Sequence, residues 1–402
     1  MRVLISGASI AGPVLAYWLS RRGFDVTVVE RAPALRKTGG HAVDLFRPAM
    51  KISEQMGVLP RILEHATGTE RLVVHRRGAA RPVTVDYLKL LAAMSERHVE
   101  IMRDDLSEIF YDAARDDVEY LFGDEITAIS PDGAVTFAHG AARRYDIIVG
   151  ADGLHSGVRR LVFGADAGHT EYLGANLAVV SVPKCLARDG EATGFVEANR
   201  YAMVYSAEHL DDARAVFLFR PAAALHYDYR DTARQRDLLR AQFSGMGPTV
   251  DRWLAELDRT PAFYFDSITQ LQLTSWSRGR VTLVGDAGYC PGPAVGGSTS
   301  LAVLGAYVLA GELERAGTDY AAAFRAYEAV MSGPVIGSRA LARSVAKGVL
   351  PSSEWGVRAL IAGGRLVSAM PTWLTGAVVR LNDKAVGLYD SMQAPEYPIP
   401  VT

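Results

Sequence analysis

The stretch from Arg2 to Glu30 constrains the fold more than any other part of the chain. It begins with a short apolar run, Val3–Ile5, that is typical of a buried parallel strand. A glycine-rich turn, Gly7–Gly12, follows, and apolar residues then recur at helical spacing. The next apolar run, Val26–Val29, ends on an acidic side chain. The order of strand, glycine turn, helix, strand and carboxylate predicts a βαβ unit that binds a dinucleotide.

In such a unit the pyrophosphate binds the helix N-terminus and the acidic residue binds a ribose hydroxyl. The predicted contacts are the turn and the end of the second strand: Gly7, Ser9, Ile10, Ala11, Gly12, Glu30 and Arg31. Ser9 stands where the pattern has its second glycine, and its hydroxyl is able to donate to a phosphate. The alternative is an ordinary βαβ turn without a nucleotide. Glu30 follows about 20 residues after the turn, as the fingerprint expects, and this favours the dinucleotide.

Composition excludes several other classes of protein. The 402 residues are enough for two or three domains, and the net charge of -2 does not indicate binding to nucleic acid or to an anionic membrane. The two cysteines, Cys185 and Cys290, have no metal-ligand spacing. We therefore expect no metal site and a reducing cytoplasmic location. No apolar stretch has the length of a membrane span, and the N-terminus lacks the charged region of a signal peptide.

The hydrophobic pattern changes along the chain. Alternating residues between 172 and 274, and a short hairpin at 71–75 and 82–85, predict antiparallel sheet. Elsewhere buried parallel strands alternate with helices, which are predicted at 49–59, 103–114, 300–314 and 320–331. We assign 1–70, 98–171 and 275–331 to a discontinuous nucleotide-binding domain. Residues 71–97 and 172–274 form a substrate-binding sheet domain, and 332–402 form a helical C-terminal segment. That segment is expected to pack on the nucleotide-binding domain; the alternative is a helix on a membrane surface.

Two further motifs narrow the class. One contains Asp152-Gly153-Leu-His-Ser-Gly-Val-Arg159, and the other begins at Gly285-Asp286 and continues to Ser298. Together with the N-terminal turn, these motifs resemble the single-component FAD-dependent aromatic monooxygenases, which are similar to p-hydroxybenzoate hydroxylase and include the tetracycline-inactivating monooxygenases. The three motifs stand in the family's order, and the resemblance extends from Met1 to about Met331.

The resemblance implies an α/β fold: a Rossmann-like FAD-binding domain with an inserted, mainly antiparallel β-sheet substrate domain and a helical C-terminal segment. It implies that Asp286 binds the ribityl chain and that the segment after it lies beside the flavin ring. The implied FAD contacts are Arg103, Asp152, Gly153, Arg159, Gly285, Asp286, Pro293, Gly296, Gly297 and Ser298. Arg103 has an alternative as a surface ion-pair partner. Tyr289, Ser298 and Ser300 depart from the family pattern beside the ring.

The implied reaction uses NADPH or NADH as a transient cosubstrate. Dioxygen then forms a flavin C4a-hydroperoxide that hydroxylates an aromatic or polyketide-like small molecule. No catalytic side chain is assigned, because the flavin supplies the chemistry. The expected substrate contacts are Arg47, Tyr205, Phe217, Phe219, Tyr227 and Phe265, for which core packing is the alternative. His41 and Phe263 are further candidates for the pocket lining.

Two other functions remain open at this stage. One is an FAD-dependent dehydrogenase or reductase of the same fold, similar to the geranylgeranyl reductases. The other is a non-catalytic flavin-binding protein. A monomer and a homodimer are both compatible with the sequence.

Overall fold

The computed structural model describes residues 1–35, 40–79, 81–89, 97–164, 168–260, 262–293, 297–348, 350–369, 388 and 392–398. The predicted N-terminal unit is confirmed: a strand at Arg2–Ser6, a helix at Ala11–Ser20 and a strand at Asp25–Glu30. The fold class is confirmed as α/β, with mixed sheets and a helical C-terminal part.

The strands of the described residues form four sheets. In chain order they are β1 (Arg2–Ser6), β2 (Asp25–Glu30), β3 (Ala42–Phe46), β4 (Arg71–Arg76), β5 (Val83–Asp86), β6 (His98–Met102), β7 (Glu119–Phe122), β8 (Ile126–Ile129), β9 (Ala134–Phe137), β10 (Arg143–Arg144), β11 (Ile147–Gly150), β12 (Thr170–Pro183), β13 (Glu191–Glu197), β14 (Arg200–Tyr205), β15 (Asp212–Phe219), β16 (Phe263–Leu271), β17 (Ser277–Arg278) and β18 (Val281–Leu283).

The helices lie between and after these strands. They are α1 (Ala11–Ser20), α2 (Arg47–Gln55), α3 (Leu59–Glu64), α4 (Arg103–Ala114), α5 (Gly157–Phe163), α6 (Thr232–Phe243), α7 (Pro248–Ala255), α8 (Asp286–Tyr289), α9 (Ser298–Ala316), α10 (Tyr320–Gly348) and α11 (Glu354–Ala369), with a 3₁₀ turn at Lys184–Leu186.

The first sheet has six strands in the order β17-β18-β11-β1-β2-β7, and all but the edge strand β17 run parallel. Its central strands are buried on both faces; Val3, Leu4 and Ile5 are 0% exposed. The glycine turn, Glu30 and the segments that follow β11 and β18 therefore meet at one edge of the sheet, where parallel α/β sheets bind ligands.

The second sheet has seven strands in the order β16-β12-β15-β14-β13-β4-β5. All neighbours are antiparallel except β13 and β4. The predicted hairpin at 71–75 and 82–85 is confirmed as β4 and β5, and it joins this sheet. One face, here called the helix face, packs Phe217 and Phe219 on α6 and α7. The opposite face carries Val216, Leu218 and Tyr264. It is called the crevice face, because Tyr264 lines the crevice described below.

A two-stranded ribbon, β3 with β6, lies against the crevice face. Ala42 of β3 and Met102 of β6 pack with Tyr205 and Met203 of the second sheet. Because β3 precedes α2 and β6 leads directly into α4, the ribbon joins the second sheet to the nucleotide-binding layer.

Two helix predictions needed correction. The helix predicted at 49–59 is divided into α2 and α3, because Gly57 takes a φ of 75° between them and Pro60 starts a new first turn. The helix predicted at 320–331 continues to Gly348 and contains Pro334. Buried residues continue on one side, at Val335, Ser338 and Ala342, so packing offsets the cost of the proline.

Candidate FAD site

A crevice of about 740 Å³ runs along the carboxyl edge of the first sheet toward the second sheet. It is lined by the glycine turn, the end of β2, the start of α4 and the segment after β11. At its far end the wall is formed by Phe263 and Tyr264 of the second sheet. The crevice thus extends from the predicted diphosphate site to the sheet expected to hold the substrate.

The glycine turn has the geometry of a close phosphate cradle. Gly7 has a φ of 108°, and a Cβ on it would lie 2.5 Å from the Ala151 carbonyl oxygen. A Cβ on Gly12 would lie 1.9 Å from the Gly7 carbonyl oxygen. No side chain caps the N-terminus of α1, which is buried at Ala11 and Gly12. The turn therefore leaves uncapped backbone N–H groups that suit a phosphate.

Glu30 closes this end of the crevice. Its Oε2 accepts from the Ala8 N–H at 2.9 Å and its Oε1 accepts from the Ala32 N–H at 2.9 Å. These bonds fix the carboxylate beside the turn, and both Glu30 and Arg31 line the crevice.

Arg103 and Ser9 come together in the middle of the crevice. Arg103 is the first residue of α4, and its Nη2 donates to the Ser9 Oγ at 3.1 Å. Ser107, one turn later, donates to the Ser9 carbonyl oxygen at 3.1 Å. The serine in place of the usual glycine therefore orients a guanidinium in the crevice and keeps its own O–H available as a donor.

The Asp152 motif forms another part of the crevice wall. Asp152 accepts from the N–H groups of Gly157 and Val158 at 2.8 and 3.1 Å, which caps α5. Desolvation raises the pKa of the Asp152 carboxyl. Asp152 and Gly153 line the crevice.

Arg159 has a different position from the predicted one. It is 0% exposed, and its guanidinium donates to the carbonyl oxygens of Leu154 and Ala287. It thus ties the Asp152 loop to α8 from inside the protein, and the neighbouring Arg160 lines the crevice instead.

Asp286 lies near two residues of the crevice wall, Arg103 and Tyr264. It begins α8 directly after Gly285, whose φ is 65°. Its carboxylate lies near Arg103 and near the Cys290 thiol, which donates to the Thr269 carbonyl oxygen at 3.8 Å. Desolvation raises the pKa of the Asp286 carboxyl. A carboxylate in this position has acceptor capacity left for hydroxyl groups, which fits the ribityl chain of FAD.

The segment after α8 leads into the N-terminus of α9. Gly297 has a φ of 83°, and no side chain caps the helix that starts at Ser298. Ser300 accepts from the Phe46 N–H at 2.9 Å, which holds β3 beside this helix end. Pro293 lies in the turn before it, and Gly296 lies outside the described residues.

The expected substrate residues do not form one group. Phe217, Phe219 and Phe265 are 0%, 1% and 5% exposed on the helix face of the second sheet, directed away from the crevice. This placement corrects the expectation that they line the pocket: alternate residues of a strand face opposite sides, and these three face α6 and α7. Arg47 is exposed at the start of α2. Tyr205 packs against the ribbon, and its hydroxyl oxygen accepts from the Ala42 N–H at 2.7 Å.

Tyr227 belongs to a second cavity, of about 600 Å³, beside the Asp152 loop. His155 lines both cavities. Its Nε2 lies 2.7 Å from the Asp266 Oδ2, and its ring stacks on that of Tyr229 at 4.4 Å between centroids.

Sequence reasoning missed several residues of the crevice wall. Tyr264, Ser107, Asp104 and Arg160 line it but belong to no motif. The sequence signal for Ser107 and Asp104 was available, because both belong to the first turns of the helix that Arg103 begins. Tyr264 gave no such signal, since its neighbours Phe263 and Phe265 have the same aromatic character.

The fold and the crevice are typical of enzymes that bind a dinucleotide at the edge of a parallel sheet. Here the second sheet closes the far end of the crevice. Comparison with known families makes this specific. Residues 1–325 match the model of the FAD-binding domain family, and the chain belongs to that family. It is an FAD-dependent monooxygenase.

Known proteins resemble this chain over most of its length. The uncharacterized protein Rv1260 of Mycobacterium tuberculosis is 43% identical over 335 residues, covering 82% of this chain and 90% of that protein. A flavin-dependent monooxygenase of Legionella longbeachae is 35% identical over 335 residues, covering 82% of this chain and 85% of the relative. The crystal structure of the tetracycline destructase Tet(51) superposes with a TM-score of 0.83 at 30% identity, covering 98% of this chain and 99% of that one.

Two negative findings apply to the described residues. They contain no group of three or more histidine, cysteine or acidic side chains that could hold a metal ion. Within the same part of the chain, no helix is long and apolar enough to cross a membrane.

Proposed function

We propose that the protein uses NADPH or NADH to hydroxylate an aromatic or polyketide-like small molecule through a flavin C4a-hydroperoxide. The observation that carries the proposal is the position of Asp286 near both Arg103 and Tyr264. An FAD whose ribityl chain binds there would extend its ring toward the crevice face of the second sheet. The reacting end of the cofactor and the substrate surface would then meet.

Different residues of the chain would bind different parts of FAD. The α1 N-terminus and Arg103 offer N–H groups and a positive charge to the diphosphate. Asp286 would accept hydrogen bonds from the ribityl hydroxyls. The N-terminus of α9, next to Gly297, would offer its N–H groups to the negative charge that develops on the reduced ring. When bound, FAD supplies the redox and oxygen chemistry, and the protein supplies orientation and exclusion of water.

The substrate is proposed to lie on the crevice face. This face carries Val216, Leu218, Met203, Tyr201 and Tyr264, a largely apolar surface with two phenol rings. Such a surface suits a broad, weakly charged aromatic ring system better than a small benzoate. The name of the Tet(51) neighbour makes tetracyclines the natural first probes.

The donor and the oxygen step are tested separately. Under anaerobic conditions NADPH or NADH should bleach the flavin absorbance, and the faster donor identifies the preferred cosubstrate. In air, a true substrate should accelerate NAD(P)H consumption and give a product that contains one atom from labelled dioxygen. Flavin reduction without label in any product would instead indicate a dehydrogenase or reductase.

Substrate class is tested with a panel of tetracyclines, bulky phenols and small benzoates. Selectivity for the benzoates would contradict the proposed surface. The described residues hold Cys185 and Cys290 as free thiols, which supports the proposed cytoplasmic location.

A further inference from the structure

The carboxyl end of β16, a strand of the second sheet, holds the segment that follows α8. The Leu271 N–H donates to the Cys290 carbonyl oxygen at 2.9 Å, and the Cys290 thiol donates to the Thr269 carbonyl oxygen at 3.8 Å. Between these two strand residues, the Gln270 Nε2 donates to the Pro291 carbonyl oxygen at 2.9 Å. Three consecutive residues of the strand therefore bind two consecutive residues of the segment.

The side-chain amide of Gln270 is fixed through both its nitrogen and its oxygen. Gln270 is 0% exposed. Its Nε2 also donates to the Arg339 carbonyl oxygen of α10 at 3.0 Å, and its Oε1 accepts from the Gln272 Nε2 at 2.6 Å. A buried amide that is bonded on three sides has one orientation, so it holds Pro291 at a fixed distance from both β16 and α10.

Pro291 depends on this amide more than another residue would. A proline has no backbone N–H, so its carbonyl oxygen is the one backbone group through which it can form a hydrogen bond. Pro291 is buried, and the Gln270 amide supplies the donor for its carbonyl. Loss of that donor would leave a buried acceptor without a partner, and the segment would then shift to satisfy it.

The anchored segment lies next to the crevice. Tyr264, near the other end of β16, lines the crevice and lies near both Cys290 and Asp286. The family resemblance implies that the segment after Asp286 lies beside the flavin ring. A single strand of nine residues therefore connects the crevice wall, on the proposed substrate surface, with the segment beside the ring.

We infer that Gln270 is a positioning residue: by holding the Pro291 carbonyl, it sets the position of the flavin ring relative to the substrate surface on the same sheet. This role rests on the proposed function for the place of the ring. The proposed oxygenation requires the reacting atoms to approach within about 3.5 Å. A small shift of the ring should therefore divert the electrons of NAD(P)H from product to hydrogen peroxide.

Gln270→Met tests this role, because it keeps the length of the side chain and removes both hydrogen bonds from its nitrogen. The variant should bind FAD with nearly native affinity, since the diphosphate and ribityl sites are unchanged, but its bound flavin should have a shifted visible absorption spectrum. With an accepted substrate, the fraction of consumed NAD(P)H that yields product should fall about three- to tenfold, with hydrogen peroxide formed instead.

Gln235→Met is the matched control. Gln235 is 3% exposed in α6, and its Nε2 donates to the Tyr229 carbonyl oxygen at 3.0 Å. This variant also loses a buried bond from an amide to a carbonyl, so its stability should fall, but its flavin spectrum and its product fraction should be native. Gln272→Met removes the donor to the Gln270 oxygen and should give a smaller change of the same kind as Gln270→Met. It takes the place of Gln270→Met if that variant does not fold.

A folded Gln270→Met protein with a native flavin spectrum and a native product fraction would overturn the assignment, because the amide would then serve only the stability of the fold. Equal changes of both readouts in Gln235→Met would do the same. If the native protein gave no labelled product with any compound, the proposed function would fail. The flavin spectra of the variants, recorded without substrate, would still decide the role of Gln270.

Discussion

At the residue scale, Ser9 and Arg103 form a contact that neither motif predicts by itself. The hydroxyl that replaces a glycine accepts from the guanidinium, and the guanidinium is thereby held within the crevice. The departure from the glycine pattern and the arginine at the start of α4 thus act as one unit.

Ser9→Ala removes this acceptor and should weaken FAD binding about three- to tenfold, because Arg103 loses its orientation. Measured in a double-mutant cycle with Arg103→Gln, the two effects should not add. Strictly additive losses would mean that the serine and the arginine act independently.

The lowered pKa of His41 predicts how the stability of the fold depends on pH. Its pKa in the folded state is about 4, against an ordinary value of 6.5. The unfolded chain therefore binds a proton at this site between those pH values while the folded chain does not, and stability falls as the pH drops through that window. The contribution is at most about 3 kcal/mol.

The groups near His41 that also carry charge are Arg103 and Asp44. Chemical unfolding of native protein and His41→Phe between pH 7 and pH 4 should show a smaller loss of free energy in the variant. Parallel curves for the two proteins would contradict the assigned pKa shift.

At the element scale, the start of α1 depends on the close approach of two glycines. A Cβ on Gly12 would lie 1.9 Å from the Gly7 carbonyl oxygen, so the helix and the turn cannot keep their positions with alanine there.

Gly12→Ala should abolish measurable FAD binding and lower the free energy of unfolding by about 2–4 kcal/mol. Gly363→Ala is the matched control, since Gly363 lies in α11 and a Cβ there would meet no atom within 4 Å. That change should be neutral or stabilise by up to about 1 kcal/mol. A Gly12→Ala protein with native FAD affinity would show that the turn has another conformation.

Both faces of the second sheet are apolar. Phe217 packs on α6 and α7, while Leu218 lies on the opposite face, the crevice face. Only one of the two faces is available to a substrate.

Phe217→Leu should therefore lower the free energy of unfolding by about 1–2 kcal/mol and leave the ratio of kcat/KM for two substrates unchanged. Leu218→Ala should change that ratio, because it alters the proposed substrate surface. A selectivity change in Phe217→Leu alone would place the substrate on the helix face.

At the scale of the whole molecule, Arg220 joins the second sheet to the end of α10. Its Nη1 donates to the Leu350 carbonyl oxygen at 3.1 Å and its Nη2 to the Ala346 carbonyl oxygen at 3.1 Å. These bonds satisfy helix-end carbonyls and fix α10 against the sheet.

Arg220→Met should lower the free energy of unfolding by about 2 kcal/mol, because it leaves partly buried carbonyls without donors. Arg259→Met is the control, since Arg259 pairs at the surface with Glu256 and should change stability by less than about 0.5 kcal/mol. Equal effects of the two substitutions would mean that the Arg220 contacts do not hold the layers together.

Prediction from the sequence succeeded where the signal was local. The period of the apolar residues and the glycine turn predicted β1, α1 and β2, and the spacing to Glu30 predicted the carboxylate at the edge of the sheet. Helix α4 was predicted with its observed bounds, Arg103–Ala114. Prediction failed for the length of α10, because a proline normally ends a helix and only tertiary packing shows that it is tolerated.

The sequence by itself determined the nucleotide-binding unit, the hairpin of β4 and β5 and the three motifs, because glycine conformation and hydrophobic period act over a few residues. Only the tertiary structure decided which apolar face of the second sheet borders the crevice and that Arg159 is enclosed while Arg160 lines the wall. It also decided that Gly40 is anchored by Asp104 and Arg214, and Ala42 by Tyr205. The physical reason is that the side chains of a strand alternate between the two faces of the sheet in the same way, whichever face another layer of the protein covers. Contacts between residues more than 60 positions apart depend on how the layers pack, and no local pattern records that.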